Sequence, residues 1–228
     1  MLLTSVRICR NSTRKQNWCQ DTARASLRAR RSEENHLQRE QILEHALNVL
    51  EQNGLAATTS LQQLADDSTF SVEQLQRFWP DRDALLYDAL RYHGQQIDTW
   101  RQQILSDDAL SHEQKLMARY QVLSEQVSIG RFPGCLFIAA CSFYPQSDQP
   151  IHQLAEQQKR ASWQFTHDVL VALALDNPSM VADQMELILE GCLSKLLVKR
   201  HMQDVNIAKS LAEDVLSIAL CRKNGALA

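Results

Sequence analysis

Apolar residues recur along this chain at intervals of three and four, and no run alternates at intervals of two. Ile42, Leu43, Ala46, Leu47, Val49 and Leu50 form one helical stripe, which stops at Asn53-Gly54 because glycine accepts the left-handed turn just past a helix end. Leu61, Leu64 and Ala65 mark a short helix that Thr59 or Ser60 can cap, a hydroxyl there accepting from the free N–H groups of the first turn. After a turn from Asp67 to Phe70, which buries Phe70, Ser71 and Gln74 make a capping box for a second short helix whose apolar side is Leu75 and Phe78. Trp79-Pro80 ends it, since proline disfavours helix in the residue before it. A long helix follows from Asp81, with Leu85, Leu86, Ala89, Ile97, Trp100 and Ile104 inward.

The remainder reads the same way. Ser111 with Gln114 caps a helix that reaches about Ile129, and Pro133-Gly134 opens a very apolar one through Cys141 that ends before Pro145. Pro150 and Pro178 sit near the N-termini of two further helices, the first running to about Leu175, and Asp204 can cap the last. All five prolines fall at these boundaries, so the fold class is all-α. The organisation expected is a basic tail over 1–36, a three-helix unit over 37–84 and a larger helical domain over 85–228.

Two short helices joined by a tight turn form a helix-turn-helix, whose second helix can lie in the DNA major groove. Thr59, Leu64-Ala65, Phe70-Ser71, Leu75, Trp79-Pro80 and Arg82-Asp83-Ala84-Leu85 together resemble the DNA-reading domain of TetR-type bacterial transcriptional regulators. The likeness covers roughly residues 37–90 by motif and the rest by architecture, and the stretch GCLFIAACSFYP resembles more narrowly one enterobacterial subgroup. The resemblance implies a homodimeric, ligand-responsive repressor without a cofactor, bound to a palindromic operator in double-stranded DNA and released by a small-molecule effector that the sequence does not identify. Carried onto this chain, it places Arg39, Thr59, Ser60, Ser71, Val72, Glu73, Gln74, Gln76, Arg77, Phe78 and Arg82 at the DNA.

This chain departs from the family pattern in several places. Val72, Glu73 and Gln74 stand where the family often has a basic residue, glycine and threonine, and Gln76 and Phe78 replace a tyrosine and a phosphate-contacting His or Tyr. Thr69 holds the turn position usually given to glycine. DNA binding is therefore expected to lean on Arg77, Arg82 and Arg39 at phosphates, with Gln74 or Gln76 reading a base. Glu73, Gln76 and Phe78 also motivate the alternative of a dimeric interaction module without sequence-specific DNA binding.

The helix from Met180 to Val198 is apolar on more sides than one core can use, which argues for burial by its own domain and by a second subunit. With the final helix it supplies the expected dimer face: Met185, Ile188, Gly191, Cys192, Leu196, Leu211, Val215 and Ile218. In the resembled family these two helices form a four-helix bundle across a two-fold axis. Trp100, Phe137, Cys141, Tyr144, Trp163, His167 and Met185 are the candidates for an effector pocket, the alternative being that they fill a helical core.

Charge and chemistry narrow the remaining classes. Residues 1–32 hold eight Lys/Arg against one acidic residue within a chain whose net charge is −3. That segment reads as a disordered tail, as a basic arm reaching DNA through Arg28, Arg30 and Arg31, or as residues upstream of a true start near Leu37. Six cysteines without disulfide or zinc spacing suit a reducing cytoplasm, and no apolar run is long enough for a bilayer. His167 and Asp168 are sequence neighbours and so face different sides of a helix. Neither they nor any other group form a catalytic set, so no enzyme is expected. Cys135 or Cys141 as a thiol sensor requires a depressed pKa from Arg131 or the helix N-terminus.

Overall fold

The structure is a computed structural model that describes residues 9–55, 60–66, 68–131 and 136–225, with side chains from residue 28 onward apart from that of Lys199. Thr59, Asp67, Pro133, Gly134 and Cys135, to which the sequence assigns a cap, a turn, a helix start and a reactive thiol, lie outside the described residues. Nine helices and no strand occur among the described residues: α1 (Cys9–Asn53), α2 (Leu61–Asp66), α3 (Val72–Gln76), α4 (Arg82–Ser106), α5 (His112–Ser128), α6 (Leu136–Phe143), α7 (Pro150–Ala172), α8 (Pro178–Lys199) and α9 (Met202–Lys223).

The chain divides into two compact units, residues 1–42 and 43–228. In the first, α1 is already helical at Cys9, well before the apolar stripe begins. Residues 28–37 are all exposed, so this stretch holds its helix on the propensity of Arg, Ala, Leu and Glu rather than on burial.

The second unit holds two apolar interiors. One gathers Leu43, Ala46, Leu47 and Leu50 of α1, Leu61 and Leu64 of α2, Leu75 of α3, and Leu85, Leu86, Ala89 and Leu90 of α4, all buried. Trp79, 2% exposed, closes it, and its indole Nε1 donates to Asp88 Oδ2 at 2.8 Å. The larger interior lies among α5, α7, α8 and α9, where Leu116, Tyr120, Leu170, Met185, Leu196 and Val205 are fully enclosed.

Local chemistry sets the boundaries. Ser111 and Gln114 form a reciprocal capping box on α5, Gln149 precedes Pro150 on α7, and the Asn177 side chain accepts from Met180 N at the start of α8. Two expectations are corrected. The last helix is capped by His201, whose Nδ1 accepts from Gln203 N, while Asp204 sits in the first turn and pairs with Lys195 at 2.6 Å. α7 ends at Ala172 instead of continuing to Leu175, because Ala174 takes a φ of 53°, which no helix can include.

One close approach brings α4 against α7. A methyl group on Gly94 would come within 2.7 Å of Gln158 Nε2, so only glycine lets the Gln158 amide lie on the α4 backbone.

Candidate functional site

The helix-turn-helix is built by short-range polar contacts. Ser60 Oγ accepts from Gln63 N at 3.2 Å and thereby caps α2. In the turn, Ser68 Oγ accepts from Phe70 N at 3.0 Å, and the Phe70 ring meets His45 edge-on with centroids 6.2 Å apart. Among described non-glycine residues only Ala174 and Arg200 have positive φ, so Thr69 occupies its turn position without a left-handed backbone. Ser71 Oγ accepts from Gln74 N at 3.3 Å, and Gln74 Oε1 accepts from Ser71 N at 2.8 Å.

That cap separates the two glutamines. A bidentate contact to adenine needs both ends of a carboxamide, and the Gln74 oxygen is already engaged at the helix start. Gln76 is exposed on α3, together with Glu73 and, just beyond it, Arg77, while Val72 and Phe78 are half-buried. The Ser71 hydroxyl and then the Glu73 backbone N–H hold the Glu73 carboxyl below its ordinary pKa, so it is ionised. Arg39 lies on α1 in the first unit, partly buried.

Arg82 is the clearest correction to the expected phosphate contacts. It is 9% exposed and turned inward, where Nη2 donates to the Leu55 carbonyl at 2.9 Å and Nη1 to the Tyr144 hydroxyl. Tyr144 in turn donates to Asp83 Oδ1 at 2.6 Å, and the Phe143 ring lies 5.4 Å from the guanidinium carbon. A guanidinium with these partners gains more from them than from a solvated phosphate, because breaking them would strand buried polar groups. Tyr144, expected in the effector pocket, instead joins the end of α6 to the start of α4.

A cavity of about 350 Å³ lies among α4, α5, α6, α7 and α8. His93, Gln96, Ile97, Trp100 and Arg101 of α4 form one wall, and Leu136 and Phe137 of α6 a second. α5 adds Arg119, Val122, Leu123 and Gln126; α7 adds Gln158, Lys159, Ser162 and Phe165; Leu189 and Leu193 come from α8. His93 stacks on Phe137 at 5.6 Å, and burial, with the nearby Arg131 charge, lowers its pKa to about 4, so the imidazole is neutral.

The cavity floor is a polar network. Arg119 donates to Glu186 at 2.5 Å and to Thr166 at 2.5 Å, and Ser162 donates to the other Glu186 oxygen at 2.7 Å. Burial alone would raise the Glu186 pKa. The Arg119 charge and the bonds from Thr166, Arg119 and Ser162 outweigh it and hold the carboxyl below its ordinary value.

Of the seven expected pocket residues, Trp100 and Phe137 line this cavity. Met185 is buried in the core, and Trp163 and His167 stack on each other at 4.7 Å, the indole donating to Asp183. Cys141 is half-buried; burial first, then Glu156 and Glu190 against Lys159, raises its pKa, opposite to what a reactive thiolate requires. The charged lining residues Arg101, Arg119 and Lys159 escaped the sequence reading. A signal existed for Arg101, and for His93 as well, since both share the helical face of Ile97 and Trp100.

The expected dimer residues also divide. Met185, Cys192 and Leu196 are buried within this chain, and Ile188 and Val215 pack against its core. Gly191, Leu211 and Ile218 are exposed, and they extend a stripe missed in part by the sequence: Met180, Leu187, Gly191, Ser194 and Val198 on α8, beside Ile207, Leu211 and Ile218 on α9. These positions recur at intervals of three, four and seven, the spacing of a helix–helix seam. Leu187 is 71% exposed.

No family model matches the chain. It is 56% identical over 191 residues, 84% of its own length and the whole of the relative, to proteins described as the HTH-type transcriptional regulator YjdC from Escherichia coli (strain K12) and from Shigella flexneri. Its fold is similar to a TetR-family transcriptional regulator from Streptomyces coelicolor, with a TM-score of 0.69, 15% identity and coverage of 80% of this chain and 95% of that one. A TetR transcriptional regulator from Legionella pneumophila gives 0.68 and 18%, covering 77% and 95%. The reduced form of E. coli NemR gives 0.65 and 15%, covering 78% and 95%.

Two outcomes follow from this geometry. Gln76→Ala should cost about 1–3 kcal/mol at a single base position of the preferred sequence, whereas Gln74→Ala should weaken all sequences alike by loosening the start of α3; binding selection on randomised DNA distinguishes them. Glu186→Gln should destabilise the fold by about 3–5 kcal/mol at pH 7, because it strands the Arg119 charge. Since the native Glu186 pKa lies below 4.5, the wild-type advantage should be complete above that pH and shrink as the pH falls through the native value, which urea unfolding across pH 3 to 7 would follow.

Proposed function

We propose that this chain, which belongs to the TetR-type helix-turn-helix transcriptional regulators and binds DNA as a regulator of that kind, is a homodimeric repressor released from a palindromic operator by a small molecule held in the cavity. The observation that carries this reading is that α4 serves both ends. Its start is fastened to the recognition helix through Trp79 and Asp88, and its middle supplies His93, Ile97 and Trp100 to the cavity wall.

The α6 helix offers a second route between the same places. Its first residues, Leu136 and Phe137, line the cavity, and just past its last turn Tyr144 bridges Arg82 and Asp83. A molecule that spreads α6 from α4 therefore strains the Tyr144 contacts, and it releases DNA to the extent that it prefers the spread state. A few kcal/mol of preference shifts the population substantially. Base reading falls to Gln76 and its neighbours on α3, with Arg77 as the exposed cation beside them.

The exposed stripe on α8 and α9 supports pairing of two chains across a two-fold axis, which would present two recognition helices to successive major grooves. Met180, Leu187 and Leu211 are each about half exposed or more on these paired helices, apolar side chains that a second subunit would cover.

Replacing Leu187 and Leu211 together by Asp should give a folded monomer in sedimentation at micromolar concentration and abolish operator binding; a wild-type chain that is itself monomeric would sink the mechanism. Tyr144→Phe keeps the ring and removes the hydroxyl between Arg82 and Asp83. It should bind operator and effector as the wild type does yet need a higher effector concentration for release, read by fluorescence anisotropy of labelled DNA.

A further inference from the structure

The cavity wall carries three cationic heads, from Arg101, Arg119 and Lys159, while the carboxylates that pair with them lie outside the lining. Two of the three pair with carboxylates less exposed than Asp98, Glu186 at 9% and Glu190 at 35%. Arg119 spends both terminal nitrogens on Glu186 and Thr166 and lies under the Phe165 ring at 5.3 Å, and Lys159 pairs with Glu190.

Arg101 differs. Its side chain is 13% exposed, and among the described residues its only bonds run from Nη1, to Asp98 at 2.9 Å and to Gln158 Oε1 at 3.5 Å. Nε and Nη2 donate to nothing among the described residues. Asp98 is 45% exposed, so water screens it and leaves the Nε–Nη2 edge of the guanidinium under-compensated. That edge offers two parallel N–H groups, the geometry that suits a carboxylate.

The rest of the lining is apolar and aromatic, with Trp100, Phe137 and Phe165 around the neutral His93. A volume near 350 Å³ is at the small end of ligand sites, which run from about 300 to 1,000 Å³. A cationic ligand would meet three positive heads, and a multiply charged anion would find only Arg101 with a whole guanidinium edge unbonded among the described residues.

We infer that the effector is a small amphipathic monocarboxylate, its carboxylate on the Nε–Nη2 edge of Arg101 and its apolar body among Trp100, Phe137 and Phe165. The inference rests on the reading of this cavity as the effector site. It assigns Arg101 as the specificity-determining residue.

Calorimetric titration of the full-length protein with benzoate, trans-cinnamate, 1-naphthoate and octanoate, each beside its primary amide, tests this directly. The acids of fitting size should bind about tenfold or more tightly than their amides. Arg101→Gln should bring those acids down to the level of the amides and leave the amides unchanged, with the far-ultraviolet circular dichroism as the check that it folds. Amides binding as tightly as acids in the wild type, no acid binding at all, or an acid preference that survives Arg101→Gln would each overturn the inference. In a separate arm, each acid that binds is added to the protein on a genomic DNA fragment enriched by binding selection. An Arg101-dependent acid that binds but releases no DNA leaves the carboxylate site standing and defeats the regulatory reading instead.

Discussion

Trp79 follows the recognition helix by three residues and is almost wholly buried, with its one polar atom bonded to Asp88 on α4. An indole buried with its N–H unpaired would be costly, so packing and hydrogen bond stand or fall together. The same carboxylate also pairs with Arg91 at 3.1 Å, which keeps it aimed. The recognition helix is therefore held as part of α4. It is too short to hold its own shape, with a single turn and a capping box.

Beside that joint the protein tolerates two buried guanidinium groups, Arg82 and Arg119, each enclosed by a carboxylate, a hydroxyl and an aromatic ring. Charges of this kind are weak stabilisers relative to an apolar core, but they permit few alternative arrangements. One sits where α4 begins and the other at the floor of the cavity, so the two ends of the proposed response are the places where the interior is most polar and most directional.

Much of the architecture was legible because helices announce themselves locally. The stripe through Leu50, the Ser71–Gln74 and Ser111–Gln114 boxes and the prolines at 150 and 178 each mark an element with a stated cause, and the structure has those elements. What failed was information that local sequence does not carry. The helix before Leu37 has no apolar stripe to reveal it. α8 is apolar on several sides, so nothing in its pattern tells which side faces its own core; Met185, Cys192 and Leu196 proved to face inward and Leu187 and Val198 outward. Arg82 looked like a surface cation until Tyr144, 62 positions on, supplied a partner. The polar cavity residues were not legible because a charged side chain on a helix has the same local pattern whether it faces solvent or a cavity.

Gly94 is where α4 would have its fulcrum. The Gln158 amide bears on its backbone there, with no side chain to interlock. Along the helix axis the fulcrum stands about 18 Å from Arg82 and about 10 Å from Arg101, at 1.5 Å per residue. A rigid tilt about that point would swing the recognition end through about 1.7 times the displacement imposed at the cavity end, in the opposite direction. A shift of one ångström at Arg101, less than the width of a methyl group, would thus be geared up before it reached α3.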